Sequence, residues 1–272
     1  MEIDASVIER AKGGDRGALE DVVRGTKDLV YNLSIRMLGS PADAEDATQE
    51  ILIRIITHLG SFRGESAFRT WAYRVASNHL LNTKKRGAET RADSLEEVGE
   101  RIASGIAAGD PAVEDQALMT EAKLICTSTM LAVLDRDHRL AFILGEIFEM
   151  ASEEAAAIIG IQSDAYRKRL SRARERMTTF MGKTCGIVDD NNSCTCGKLA
   201  GHAVVTKLID PKCLVFSSRP ARAANSDARL DDLDTISRAI EVFRGHPDWI
   251  GPDSLVEGIR RAIESGSSDL VH

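Results

Sequence analysis

The sequence predicts an all-α fold, and three observations carry that expectation. Aromatic residues make up only 4% of the 272 residues, whereas sheets draw on aromatic and β-branched side chains. Apolar residues recur at spacings of three and four along most of the chain, which gathers them on one face of a helix. Alternating apolar and polar runs, the mark of a half-buried strand, are few. The length suits about two domains, each with a core of its own.

Residues 2–38 give two helical patterns. Ile3, Val7, Ile8 and Ala11 line the first, Gly13-Gly14-Asp15 breaks it, and Leu19, Val22, Val23, Leu29, Val30, Leu33, Ile35 and Leu38 continue the apolar faces. Gly39-Ser40-Pro41 reads as a stop and a restart. In the next helix, 42–59, Ala47, Ile51 and Ile55 step by four on the buried side with Leu52, Ile56 and Leu59, while Asp43, Asp46 and Glu50 line the polar side with Gln49 and Ile53 beside them. A polar face with an apolar member suits docking; acidic residues early in a helix equally suit the positive end of its dipole. After the loop Phe62-Arg63-Gly64-Glu65, residues 66–86 form another helix with Phe68, Trp71, Val75 and Leu81 on its core side. Arg69, Tyr73, Arg74, Asn78 and His79, ending in Lys84-Lys85-Arg86, interleave cations, amides and a ring. Such a mixture suits an unstacked strand, because rings stack on bases and cations follow phosphates. The alternative makes Trp71 a core anchor and the basic triplet a helix end.

Residues 87–113 are rich in Gly, Ala, Ser and acidic side chains, with few apolar ones, and read as a flexible linker closed by Gly109-Asp110-Pro111. Helices follow over 115–150. In 152–181, Ser152 is the cap candidate for a short helix with Ala155, Ile158 and Ile159 on its apolar face, and Gly160 ends it. Ser163 is the second cap candidate. Tyr166, Leu170, Ala173, Met177 and Met181 then form one stripe, opposite Arg167, Lys168, Arg169, Arg172, Arg174 and Arg176. Two helices joined by a tight turn, the second cationic, make the helix-turn-helix layout, whose second helix enters the major groove. The net charge of −7 and pI of about 5.5 keep any nucleic-acid contact local to such basic faces.

The run from Asp43 to Arg86, with EDATQEILIRIITHL, SFRGES and FRTWAYRVASN, resembles region 2 of the bacterial sigma factors of the extracytoplasmic-function group. LDRDHRLAFILGEIFEM at 134–150 and the stretch 152–177 resemble region 4 and the helices leading into it, in the family's order and spacing. The resemblance implies two helical DNA-binding domains, 1–86 and 114–182, joined by the linker 87–113. It implies that Asp43, Asp46, Gln49, Glu50 and Ile53 dock on core RNA polymerase. It further implies that Arg69, Trp71, Tyr73, Asn78, His79, Lys84 and Lys85 lie by the melted downstream element of promoter DNA, and Arg167, Lys168, Arg169, Arg172 and Arg176 by the upstream element. An anti-sigma protein is a further partner it raises.

Beyond that pattern the chain runs on as an extension, 183–272. Cys185, Cys194 and Cys196, with His202 or Cys213 as a fourth ligand, are candidates for a tail zinc site, since thiolates on tight turns converge tetrahedrally. A redox-active group and inert thiols remain the alternatives. Residues 234–243 and 255–263 read as two short amphipathic helices, and 217–229 as a loose connector. A cysteine-bearing extension on a transcription module suggests a restraint on both halves. The expected function is promoter recognition and strand opening with core polymerase, not an enzymatic reaction, and needs no cofactor. The rivals are a stand-alone helix-turn-helix regulator and a metal or redox sensor acting through the tail. No run is long and apolar enough for a membrane span and Met1-Glu2-Ile3-Asp4 is unlike a signal peptide, which points to the cytoplasm.

Overall fold

A computed structural model of the chain describes residues 3–83, 94–222 and 233–264, with side chains up to Arg261. Lys84 and Lys85 lie outside the described residues. Helix α1 (Ala5–Lys12) turns at Gly13-Gly14 into α2 (Arg16–Leu38), which Asp15 caps by accepting from Ala18 N at 2.8 Å. Gly39 ends α2 in the left-handed region at φ 64°, and Ser40 with Pro41 starts α3 (Pro41–Thr57). Helix α4 (Phe68–Asn82) completes the first half, where Phe62, Phe68 and Trp71 cluster with centroids 5.3–5.6 Å apart. These rings and Val22, Val30, Ile51, Ile55 and Leu80 belong to one buried core.

The linker contains a helix that its composition does not announce. Helix α5 (Leu95–Ala107) opens with a capping box, Ser94 and Glu97 each accepting from the other's backbone N–H, and buries Leu95, Val98 and Ile102. These residues lie three and four apart, so a sparse apolar set still makes one continuous stripe. Helix α6 (Gln116–Val133) follows. Helix α7 (Arg136–Phe142) runs into a π turn at Ile143–Ile147, where Gly145 makes room for the second half's packing. A Cβ there would meet Leu170 Cδ2 and Tyr166 Oη at 2.7 Å.

Helices α8 (Ser152–Ile159) and α9 (Ser163–Thr184) flank Gly160, at φ 79°. Their caps fall one residue earlier than the sequence predicts. Ala151 and Gln162 hold the N-cap positions without side-chain bonds, and Ser152 and Ser163 are the first helical residues. Tyr166, Leu170, Ala173, Met177 and Met181 are all buried, as their spacing requires.

The extension is folded onto both halves. It comprises α10 (Cys196–Val205), strand β1 (Ala221–Arg222), α11 (Thr235–Arg244), strand β2 (Asp248–Trp249) and α12 (Asp253–Glu264). The strands form an antiparallel ribbon with Ala221 opposite Trp249. Helix α11 packs on α9, with Phe243 edge-on to Phe142 at 5.2 Å. Helix α12 lies on α2 and α3 through Leu255, Val256 and Ile259. The two halves also touch directly. Thr70 donates to Glu154 Oε1 at 3.2 Å, Arg74 Nε donates to Ala157 O at 3.1 Å, and α4 thereby packs across α8.

Candidate functional site

The acidic face of α3 forms because the apolar residues point the other way. Ile51, Leu52, Ile55 and Ile56 are buried, which turns Asp46, Gln49 and Glu50 to solvent and leaves Asp43 and Ile53 half-buried at its edges. The extension reaches this face at its margin: Gln49 Nε2 stands 3.7 Å from where a Cβ on Gly258 of α12 would be, and Glu45 pairs with Arg219.

A groove of about 550 Å³ separates α3 from α4 and draws both predicted residue sets together, with Glu50 on one wall and Trp71, Asn78 and His79 on the other. Asn78 and Arg69 are exposed. Trp71, Tyr73 and His79 differ from the expectation, since only 9%, 3% and 8% of their surfaces reach solvent. Trp71 serves the aromatic cluster, as the core reading of the sequence has it. Tyr73 is held between Phe148, 5.9 Å away, and Arg69, whose guanidinium lies 5.5 Å from its ring; burial pushes its hydroxyl pKa up. Burial, and then Arg54, hold the His79 pKa below its ordinary value, although Glu50 Oε2 stands 3.6 Å from Nε2. In this conformation these rings are packed, not presented.

Helix α9 presents its cations as a mixed set. Lys168, Arg172 and Arg176 are exposed and make no ion pair among the described residues. Arg167 pairs with Asp164 and with Glu153 at 3.4 Å, and Arg169 pairs with Asp137 at 3.0 Å. Arg174 is structural: its Nε donates to Glu146 Oε1 at 2.7 Å, and Arg244 of α11 donates to the backbone carbonyl of that same buried glutamate at 2.8 Å.

Three buried charged side chains carry the assembly and escape a periodicity reading. Arg139 donates to Leu131 O at 2.8 Å, Ala132 O at 2.7 Å and Leu134 O at 2.8 Å, and to Met37 O of α2, tying the second half to the first. Arg36 lies with its guanidinium 5.2 Å from the Phe148 ring and 4.9 Å from the Trp249 ring, and donates to Asn32 and to Pro247 O. Burial lowers its pKa to about 10, so it stays charged at neutral pH. Glu121 accepts from Val215 N, Phe216 N, Ser217 N and Ser217 Oγ at 2.7–3.1 Å, gripping the extension by its backbone. For Arg36 the sequence signal is a charge set within an apolar run, Leu33-Ser34-Ile35-Arg36-Met37-Leu38.

The candidate metal ligands do not all converge. Cys213 is exposed on the Asp210–Cys213 turn, and His202 Nδ1 is engaged by Asp110 Oδ2 at 2.8 Å. Cys185, Cys194 and Cys196 remain close, and burial, with the charges of Cys185 and Cys196, pushes the Cys194 thiol up to about 12. Buried thiols of high pKa make poor nucleophiles, which disfavours the redox-active reading. Among the described residues no three His, Cys, Asp or Glu side chains already stand in metal-holding geometry, and no helix is long and apolar enough to cross a membrane.

Comparison with known proteins matches this architecture. Residues 22–90 match the Sigma-70 region 2 family and residues 124–177 the Sigma-70, region 4 family. The ECF RNA polymerase sigma factor SigW of Bacillus subtilis (strain 168) is 31% identical over 173 residues, covering 62% of this chain and 92% of its own length. The ECF RNA polymerase sigma-E factor of Escherichia coli (strain K12) is 32% identical over 176 residues, covering 63% and 91%. Among solved structures, CnrH in complex with the cytosolic domain of CnrY aligns with a TM-score of 0.46 at 20% identity, covering 64% of this chain and 94% of that one. With both regions matched in order and over nine-tenths of each of these two curated relatives covered, the chain belongs to the ECF group of RNA polymerase sigma factors.

Proposed function

We propose that this sigma factor binds core RNA polymerase through the exposed α3 face, delivers α4 and α9 to the two promoter elements, and is held closed by its extension until that extension is displaced. The observation that carries the restraint is the joint at Arg36. One cation from region 2 is stacked between Phe148 of region 4 and Trp249 of the extension, so all three parts meet at a single desolvated side chain. While α8 lies across α4, Thr70 and Arg74 are engaged and Tyr73 is covered. A melted strand reaches α4 only after the halves part.

Binding energy performs the work in this reading. Exposed Asp46 and Glu50 supply charge complementarity to a basic polymerase surface, and Lys168, Arg172 and Arg176 meet phosphates. Opening the duplex by trapping bases calls for no catalytic group, so the chain acts as a non-enzymatic subunit in the cytoplasm, with core polymerase and promoter DNA as partners. The extension takes in cis the restraining role that the family resemblance gives to an anti-sigma protein.

The test is transcription in vitro with core polymerase on a library of promoter fragments. The chain should give starts sharing two spaced elements, Trp249→Ala should raise their yield, and Asp46→Arg with Glu50→Lys should abolish core binding. Core binding undiminished by the double substitution would refute the docking face and favour a stand-alone regulator. Equal yields from the wild-type chain and Trp249→Ala, with the extension shown to be released, would refute the restraint.

A further inference from the structure

Helices α5, α6 and α10 meet without filling the space between them. The cavity they enclose, about 380 Å³, is lined mainly by apolar side chains, among them Ile102, Ile125, Leu199 and Ile209. Each helix turns a small residue toward it, Gly105 from α5, Ala122 from α6 and Ala203 from α10, where a close-packed interior would hold larger ones. Helix α10 is fixed in place by the segment that precedes α6. Val113 N donates to Gly197 O at 3.1 Å, and a Cβ at 197 or 201 would stand 2.7 Å from Val113 O or 2.0 Å from Pro111 O. With backbone seated on backbone there, α10 does not settle inward to fill the gap.

One polar group is set into the lining. His202 Nδ1 lies 2.8 Å from Asp110 Oδ2; because a carboxylate accepts, Nδ1 carries the hydrogen of that bond, and the neutral ring keeps its lone pair on Nε2. Nε2 makes no hydrogen bond among the described residues. The ring lies against the backbone of Gly105, where a Cβ would meet Cδ2 at 2.6 Å and Nε2 at 3.0 Å, so a side chain at 105 would displace it. The hydroxyls of Thr129 and Thr206 are turned onto their own helices, donating to Ile125 O and His202 O, each at 2.8 Å.

We propose that this cavity binds a small, neutral, largely apolar molecule carrying one hydroxyl, which donates to His202 Nε2. Adequate volume, apolar walls and a single placed acceptor are what pockets for such ligands combine. An apolar cavity of roughly 150 Å³ takes one benzene, so this one has room for about two fused rings. The Asp110 carboxylate beside His202 disfavours an anion, and a molecule with many polar groups would leave them unpaired against the walls. Leu208, 69% exposed, stands on the rim and marks the mouth. The walls come from the linker, the second half and the extension, so a bound molecule ties α10 to the body. At a concentration about a hundred times its Kd, separation of that helix is suppressed about a hundredfold. The inference involves no polymerase contact and stands independently of the restraint proposed above.

The experiment titrates the full chain with 1-naphthol, its methyl ether and 1-naphthoate, following the isoleucine methyl groups by NMR. 1-Naphthol should saturate one site per chain, shifting Ile102, Ile125 and Ile209 while Ile51 and Ile55 of the first half stay in place. The methyl ether, which cannot donate, should bind about tenfold more weakly, and His202→Phe should bind the two equally. No saturable shift with 1-naphthol in the wild-type chain would overturn the proposal, as would saturable shifts confined to other isoleucines. An ether that binds the wild-type chain as tightly as 1-naphthol would remove the His202 contact whether or not the variant folds, and so would a His202→Phe chain that keeps the tenfold preference. Tighter binding of 1-naphthoate than of 1-naphthol would overturn the assignment of a neutral ligand.

Discussion

Replacing Trp249 by alanine should release the extension. The side chain is 1% exposed and packs with Tyr31, Ile35, Ala44, Leu124 and Phe216, all but the last from the body of the molecule. Emptying a buried tryptophan site costs about 3–5 kcal/mol, within which the stack on desolvated Arg36 accounts for about 2 kcal/mol. The bonds from Asn32 to residue 249 are to its backbone, at 2.6 and 3.0 Å, and are untouched by the substitution. Taking about 4 kcal/mol and a factor of ten for each 1.4 kcal/mol, the docked-to-open ratio falls by roughly a thousandfold. Amide hydrogen exchange read by mass spectrometry is the assay, because local opening sets exchange in a docked element. Amides of α12 should exchange faster by about that factor while those of α2 change little. Unchanged α12 exchange would refute the reasoning; equal acceleration in α2 would show that residue 249 supports the whole fold and not the docking of one part.

Three further outcomes rest on single positions. Burial, then Arg36 and Lys123, hold the His246 pKa well below 6.5, with Nε2 bonded to Thr127 Oγ1 at 2.6 Å. The released histidine takes a proton at its ordinary pKa of about 6.5, so docking is full above that pH and weakens below it by up to about 1.4 kcal/mol per pH unit; α12 exchange measured against pH should show this, and His246→Asn should remove the slope. Gly145→Ala forces a methyl to within 2.7 Å of Leu170 and Tyr166, which should cost about 1–3 kcal/mol of overpacking, read as a lowered midpoint in thermal unfolding. Lys168→Ala and Arg172→Ala should each reduce the slope of log affinity against log salt for duplex promoter DNA by about 0.9, measured with core polymerase present; an unchanged slope would remove that residue from the phosphate contacts.

The helices that bury one clean stripe were legible in the sequence. Tyr166 to Met181 on α9 and Ala47 to Ile55 on α3 are buried as their spacing demands, and the polar faces opposite follow as a consequence. The extension's α11 and α12 were legible for the same reason. What could not be read depends on contacts between distant segments. Glu121 and Arg139 look like surface charges until partners that satisfy them arrive from far along the chain. Arg174 was indistinguishable from Arg172 by pattern, yet one is spent on Glu146 while the other faces solvent. Helix α5 was missed because acidic and small residues outnumber the three apolar side chains that it buries.

Glu121 holds the extension by main-chain amides, and among the described residues only Ser217 also offers it a side chain. An anchor of this kind is indifferent to spelling. Residue 215, whose side chain is exposed, can be exchanged for any non-proline residue that tolerates the local backbone without loosening its bond to that carboxylate, while Phe216 is held by its ring against Trp249 as well; inserting or deleting one residue there moves every amide out of reach. The path of the extension is therefore guarded against changes of length more strictly than against changes of letter. In lineages that share this arrangement, position 215 should drift in composition while the stretch keeps its count.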